Sequence, residues 1–251
     1  MPQNDLEVLS NLSSEFTKQF EDVNIVIVGA SGFLGRWLSS YFVFLAQGGS
    51  FKGSITMIVR NLSSMSELIS MNNPQTVKII ETGQIDTERY SYFKSGRTIV
   101  FFAATSTKSR ESLFAEQYVS GVGLAEKVIN SLPDGDLTFI HLSSGGIYDP
   151  TARQLLEVPS NYLIQQDSED VYILEKILLE KWSKQAEDSG LLTARNPRLF
   201  SFYGPGLDLD RHYAIGEFMR LGKSGNPIVI KGRPDNLRSY LYPTDAISGL
   251  Q

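Results

Sequence analysis

Short apolar runs at 25–28, 55–59, 77–80, 98–102, 137–142 and 191–194 recur along the chain, separated by stretches of helical periodicity, notably 33–46, 111–131 and 169–187. The runs are rich in Ile, Val and Phe and nearly continuous in apolarity, the pattern of strands covered on both faces. Alternation of such strands with helices predicts an α/β fold, a doubly wound parallel sheet with right-handed crossovers. Past residue 200 the pattern loosens into turns such as Tyr203-Gly204-Pro205-Gly206 and Gly225-Asn226-Pro227, predicting a smaller, loop-rich C-terminal substrate lobe over 201–251. Ahead of the sheet, Leu6, Leu9, Leu12, Phe16 and Phe20 recur at steps of three and four and predict an amphipathic helix over 4–21, within a segment 1–22. Its apolar stripe packs on a neighbouring element; pairing of two copies through it, as a homodimer, is the sharper alternative.

The 251 residues include no cysteine, which removes disulfides, thiolate metal sites and cysteine nucleophiles together and suits a reducing cytoplasm. His141 and His212 are the two histidines, too few for a histidine-built zinc centre, so no metal is expected. His141 lies inside an apolar run and reads as a packed core residue, while His212 lies in a loop; neither supports a Ser-His-Asp hydrolase. The net charge of −5 and the lack of any long basic run argue against nucleic acid as a partner. No stretch approaches the roughly 18–20 apolar residues needed to cross a bilayer, and Asp5 and Glu7 stand where a secretory leader would be basic. The chain is therefore expected in the cytoplasm, away from membranes.

The first run leads into Gly29-Ala30-Ser31-Gly32-Phe33-Leu34-Gly35, after which Arg36-Trp37-Leu38 opens a helix. A glycine-rich turn between a first strand and a helix lets backbone approach a pyrophosphate, whose charge then faces the N–H groups of the helix N-terminus. Gly29 permits the tight turn, Gly32 the close approach and Gly35 the close packing of helix on sheet. Gly29, Ser31, Gly32, Phe33, Leu34 and Gly35 are accordingly candidate cofactor-binding residues, and 23–200 is read as a dinucleotide-binding domain. The spacing Gly-x-x-Gly-x-x-Gly resembles that of the extended short-chain dehydrogenase/reductase family, the nucleotide-sugar epimerases, dehydratases and reductases. The resemblance implies a Rossmann-type sheet, a nicotinamide dinucleotide and a nucleotide-activated sugar as partner.

The end of the second strand selects the dinucleotide, because an acid there holds the ribose 2′-hydroxyl of NAD whereas an Arg accommodates the 2′-phosphate of NADP. The sequence has Arg60 at that point and no nearby acid, with Arg36 as a helper, so NADP(H) is preferred and NAD(H) is the alternative. The fourth run ends Phe101-Phe102-Ala103-Ala104-Thr105; the family carries a similar small pair beneath the cofactor, which makes Ala103, Ala104 and Thr105 further candidates.

The fifth run leads into His141-Leu142-Ser143-Ser144-Gly145-Gly146-Ile147-Tyr148, and downstream Tyr172-Ile173-Leu174-Glu175-Lys176 falls within a predicted helix. A spacing of four stacks Tyr172 and Lys176 on one helix face, where the ammonium favours the ionised phenol. Tyrosine, near pKa 10, is a poor base at neutral pH, and a fixed positive charge brings it toward the working range. Tyr172 is the candidate acid/base, Lys176 its activator and a cofactor-ribose ligand, with Tyr172 also facing the cofactor. Ser144, at the carboxyl end of its strand, orients the reacting oxygen of the substrate.

Two further stretches resemble the family. Arg198-Leu199-Phe200-Ser201-Phe202-Tyr203-Gly204-Pro205 is similar to its arginine-to-Tyr-Gly-Pro segment, and Arg238-Ser239-Tyr240-Leu241-Tyr242-Pro243-Thr244-Asp245-Ala246 to the segment where an arginine approaches the nucleotide diphosphate. Ser201 and Arg238 join Ser144 as substrate-binding candidates. Departures stand beside these matches: Ser201 and Tyr118 occupy positions where the family usually carries Asn. Family members also continue beyond the point reached by Gln251, where Thr244 reads as the N-cap of another helix, so the substrate lobe is expected to be incomplete.

The resemblance implies reversible hydride transfer at a sugar ring carbon. A 4,6-dehydratase needs an acidic pair directly after the catalytic Ser/Thr, and Gly145-Gly146 stand there instead. Epimerase and ketoreductase remain, the Ser143–Tyr148 turn leaning to the first and Arg60 to the second. The rival from another class is a non-catalytic dinucleotide sensor or structural protein of the same fold.

Overall fold

The computed structural model describes residues 1–12, 20, 22–49, 51–65, 76–85, 93–104, 114–155, 157–166, 168–209, 214–230 and 238–250. Most of the second half of the expected 4–21 helix, including Phe16, lies outside the described residues, as do Thr105, the 111–113 start of the second expected helix, and His212.

In chain order the elements are α1 (Gln3–Leu12), β1 (Asn24–Val28), α2 (Phe33–Gln47), β2 (Ile55–Val59), β3 (Val77–Glu81), β4 (Thr98–Phe102), α3 (Phe114–Ser131) and β5 (Leu137–His141). There follow β6 (Ser143–Ser144), α4 (Val171–Asp188), β7 (Thr193–Arg195), β8 (Arg198–Leu199), β9 (Ser201–Phe202), α5 (Ala214–Lys223), β10 (Tyr240–Leu241) and α6 (Pro243–Leu250). The main sheet runs β3-β2-β1-β4-β5-β7, and each neighbouring pair is parallel. The order reverses between β1 and β4, so the crevice above their carboxyl ends is the place where a sheet of this kind takes a ligand. Two small parallel pairs, β6 with β8 and β9 with β10, extend that edge.

Strand residues alternate between two cores. Ile25 and Ile27 join Phe101 under α1, α2 and α6, whereas Val26, Val28 and Phe102 face α3 and α4. Burial on both faces is why the strands read as continuous apolar runs. In the first core Phe42 sits with its ring 5.5 Å from that of Phe20 and 5.6 Å from that of Phe101. Leu6 and Leu9 of α1 are buried there with Phe20 and with Ile247 and Leu250 of α6, so the described part of the amphipathic N-terminal stripe packs within the chain. Tyr242 donates to Asp5 Oδ2 at 2.6 Å, fastening the segment before α6 to α1.

Element boundaries shift by one or two residues from expectation, and two of the differences have a plain local cause. The last strand of the sheet begins at Thr193 rather than 191, because α4 ends in a Schellman motif: Gly190, at φ +76°, donates to Glu187 O, and the Leu191 N–H donates back to Ala186 O at 2.9 Å. The N–H of Leu191 thus belongs to the helix cap and not to the sheet. Thr244 does not cap α6: the helix starts at Pro243, whose missing N–H costs nothing there, and Tyr242 O accepts from Ala246 N–H. Among the described residues no helix is long and apolar enough to cross a membrane, and no His/Cys/Asp/Glu group could hold a metal ion.

Candidate active site

β1 delivers its chain end into the glycine turn at the switch point. Gly29 has φ +81°, and a Cβ there would lie 2.7 Å from Ala104 N, so the turn is pressed against the backbone at the end of β4. A Cβ at Gly35 would fall 2.1 Å from Gly29 O, which is why α2 can sit tightly on the turn. Gly32 occupies the N-cap of α2 with extended backbone, is exposed, and supplies no side-chain cap. The first-turn N–H groups of Phe33, Leu34 and Gly35 lie just beyond it, where an anion is favoured by the helix dipole. Ser31, Phe33 and Leu34 are half-buried, and the Phe33 ring approaches that of Phe202 at 5.9 Å, joining the glycine turn to β9. Ala103 and Ala104 are half-buried beside Gly29, with Ala103 N–H bonded to Val28 O.

Arg60 is exposed immediately after β2. Arg36, read from sequence as its helper, is engaged elsewhere: Nε donates to Ser31 O and Nη2 to Ser64 O, both at 2.9 Å, tying the glycine turn to the turn after β2. One acid invisible to sequence reasoning also arrives here. β2–β3 register pairs Val59 with Glu81, and Glu81 Oε1 accepts from Leu62 N–H at 2.9 Å. Distance along the chain concealed it, and only the strand pairing reveals it.

On the other side of the crevice, β5 ends at His141 and β6 carries Ser143 and Ser144. Ser144 Oγ accepts from Gly146 N–H at 3.1 Å, capping the single turn Gly145–Ile147. Ser143 Oγ donates to Glu180 Oε1 at 2.5 Å, and the same carboxylate takes Arg198 in a fork, Nε to Oε1 at 3.0 Å and Nη2 to Oε2 at 2.7 Å. This bidentate pair clamps β6 and β8 to α4.

Asp170 caps α4 by accepting from Tyr172 N–H at 3.0 Å, fixing where the helix starts. Tyr172 is 38% exposed, whereas Lys176, one turn on, is 2% exposed. Lys176 Nζ lies 5.7 Å from the centroid of the Tyr172 ring and donates to Leu142 O at 2.7 Å. Burial pulls the Lys176 pKa down to about 8 against the opposing pull of Glu175 and Glu180. Ile147, Ile173 and Ile177 form a small cluster that joins the turn after Ser144 to α4. A Cβ on Gly146 would lie 2.8 Å from Ile173 Cδ1 and 3.2 Å from Ser144 Oγ, so Ser144 and the first turn of α4 flank the same small space.

Ser201 is half-buried in β9, paired with Tyr240, and Arg238 is exposed just before β10. The side chain of Tyr118 lies outside the described residues. The sequence reading also missed Phe200. Its ring would collide with any side chain on Gly145, is 52% exposed, and stacks on Tyr148 at 6.3 Å and 18°.

With this geometry in place, three comparisons bear on the chain. The model of the NAD dependent epimerase/dehydratase family matches residues 25–250. Among solved structures, UDP-glucuronic acid 4-epimerase from Bacillus cereus, in complex with UDP-glucuronic acid and NAD, is 18% identical; the match covers 90% of this chain and 71% of that one, with a TM-score of 0.67. UDP-N-acetylglucosamine 4-epimerase from Methanobrevibacter ruminantium, in complex with UDP-N-acetylmuramic acid, is 21% identical over 91% and 71% of the two chains, also at 0.67. The dTDP-glucose 4,6-dehydratase of Streptomyces venezuelae, with NAD bound, is 14% identical over 90% and 70%, again at 0.67. No protein with a curated description matches the chain significantly. At these identities the structural likenesses carry the fold.

Proposed function

Because the chain belongs to the NAD dependent epimerase/dehydratase family, we propose that it moves a hydride reversibly at a ring carbon of a nucleotide-activated sugar. The observation that supports this most is the placement of Ser144, Tyr172 and Lys176 at the carboxyl edge of the sheet, beside the switch point that the glycine turn lines.

The cradle fits a dinucleotide. Gly29 and Gly35 keep the turn flat against β4, Gly32 leaves the mouth of α2 uncapped, and Ala103 and Ala104 leave room below. A nicotinamide bound there supplies a reversible hydride acceptor. Tyr172 holds or releases the proton of the substrate hydroxyl at its phenolic oxygen. Lys176 sets the charge beside it and binds the cofactor ribose, while Ser144 donates to or accepts from the same substrate oxygen. Ser201 and Arg238, on and beside the β9–β10 pair, face the sugar and its diphosphate. Gly145 and Gly146 supply no acid after Ser144, which favours epimerisation or ketone reduction over dehydration.

Two named neighbours were solved with NAD. For this chain Arg60 supports a preference for NADP(H), hence a ketoreductase that exchanges cofactor each turnover. Glu81 supports the second reading, an epimerase that keeps NAD. Native mass spectrometry of the purified protein separates them: tightly held NAD favours the epimerase, and an empty or NADP-bearing site the reductase.

A further inference from the structure

We propose that His141 and Asn196 are positioning residues, a relay running inward from half-buried Asn196 to buried His141 that holds the Lys176 ammonium in place and leaves its remaining N–H for the bound dinucleotide. The inference rests on the reading of Lys176 given above and adds to it two residues outside the glycine turn and the Ser-Tyr-Lys set.

An ammonium has three donors and no acceptor. Leu142 O takes one at 2.7 Å, and His141 Nε2 stands 3.4 Å from Nζ. To accept from a cation, Nε2 must carry a lone pair, which places the imidazole proton on Nδ1. The far side of the ring agrees: Nδ1 lies 3.2 Å from Asn196 Oδ1, an acceptor. The Asn196 amide is held in turn by Ser183: its Nδ2 stands 3.0 Å from Ser183 Oγ, and the Ser183 hydroxyl has two acceptors in reach at 3.1 Å, Glu180 O and Asn196 Oδ1 itself. From Lys176 through His141 to the Asn196 Oδ1 the bonds run one way, and they fix a single imidazole tautomer.

Ser183 and Lys176 sit two helical turns apart on α4, so one helix face carries both ends of the relay. His141 and Ser183 are fully buried. A buried imidazole costs free energy unless both nitrogens are used, and an apolar residue would fill this part of the core without that cost. Burial and the adjacent Lys176 charge hold the His141 pKa well below its ordinary value, which keeps the ring neutral. The groups facing Lys176 are His141 from β5, Tyr172, Glu175 and Glu180 from its own helix, and, through Glu180, Arg198 from β8.

The test uses three variants of the whole chain: His141→Leu, which keeps bulk without an acceptor; His141→Gln, whose amide oxygen can stand near Nε2; and Asn196→Ala, which keeps the imidazole and frees its tautomer. Lys176 is titrated by NMR of ¹³C-labelled lysine, its signal identified by loss in Lys176→Met, and NADH and NADPH affinities are measured by calorimetry. His141→Leu should lower the Lys176 pKa by about one unit and weaken dinucleotide binding about tenfold. Asn196→Ala should move both in the same direction by less, and His141→Gln should restore affinity to within about threefold. Unchanged titration and affinity in folded His141→Leu overturn the proposal; if that variant does not fold, unchanged values in Asn196→Ala do so. Lys176→Met checks the underlying reading separately: should it bind both dinucleotides as the wild type does, the assignment of Lys176 to the cofactor fails, while the titrations still decide whether His141 holds the ammonium.

Discussion

The ring of Phe200 stands where any side chain on residue 145 would have to go: a Cβ on Gly145 would fall 2.5 Å from Phe200 Cε1. The glycine after Ser144 is therefore a packing requirement, and the same ring forms an exposed aromatic wall beside the candidate catalytic serine. Gly145→Ala should destabilise the fold by about 1–3 kcal/mol through overpacking, and adding Phe200→Ala should recover most of that loss. Urea unfolding of both single variants and the double variant measures the coupling; additive effects would show that the two positions do not compete for space.

Tyr172→Phe keeps the ring and its neighbours but removes the transferable proton. Turnover should fall by at least the roughly 10²–10⁴-fold that a positioned acid/base supplies, with NADH affinity held within a few-fold. Steady-state rates on a nucleotide-activated sugar decide it, and wild-type turnover in the variant would place the proton transfer elsewhere.

Arg60 makes the riskiest claim about the cofactor. If its guanidinium meets a 2′-phosphate, charge-assisted hydrogen bonds worth roughly 1.5–3 kcal/mol give about a ten- to hundredfold preference for NADPH over NADH, weakening with salt. Arg60→Ala should erase most of this preference with little change for NADH. Equal affinities in the wild type, measured by calorimetry, would favour the Glu81 reading and a retained NAD.

The depressed pKa of Lys176, about 8 against an ordinary 10.5, has two consequences of defined sign. Dinucleotide affinity should fall as pH rises through 8, because the ammonium that binds the ribose is lost. Stability moves the opposite way: between about 8 and 10.5 the unfolded chain holds a proton that the native state has released, so the contribution of Lys176 rises with pH. Unfolding curves of the wild type and Lys176→Met across that window isolate the effect; parallel pH dependences would mean that Lys176 titrates normally in the fold.

Continuity of apolar residues made β1, β2 and β4 legible in the sequence, because each is buried on both faces and needs nothing distant to define it. The start of β7 does not follow the apolar run, since the N–H of Leu191 is claimed by the cap at Gly190, and hydrophobicity carries no trace of that choice. The glycine turn was legible because backbone conformation selects the residue type directly. Arg36, Glu81, Phe200 and Asn196 were not, because each acts through a partner set by strand register or by packing between elements far apart in the chain. His141 was correctly placed in the core, yet its two hydrogen-bond partners are what give it a purpose beyond packing.

The bond between Tyr242 and Asp5 closes a loop of nearly the whole chain, and it sets an order on folding during synthesis. α1 leaves the ribosome well ahead of α6 and cannot finish its core until α6 follows, a delay of roughly 10–50 s at ordinary elongation rates of about 5–20 residues per second. Until then Leu6 and Leu9 have lost one of their two covers, and the nascent chain carries an apolar stripe that a chaperone would recognise. The sheet from β1 to β5 can form in the meantime, so the docking of α1 against α6 follows the sheet that both elements cover.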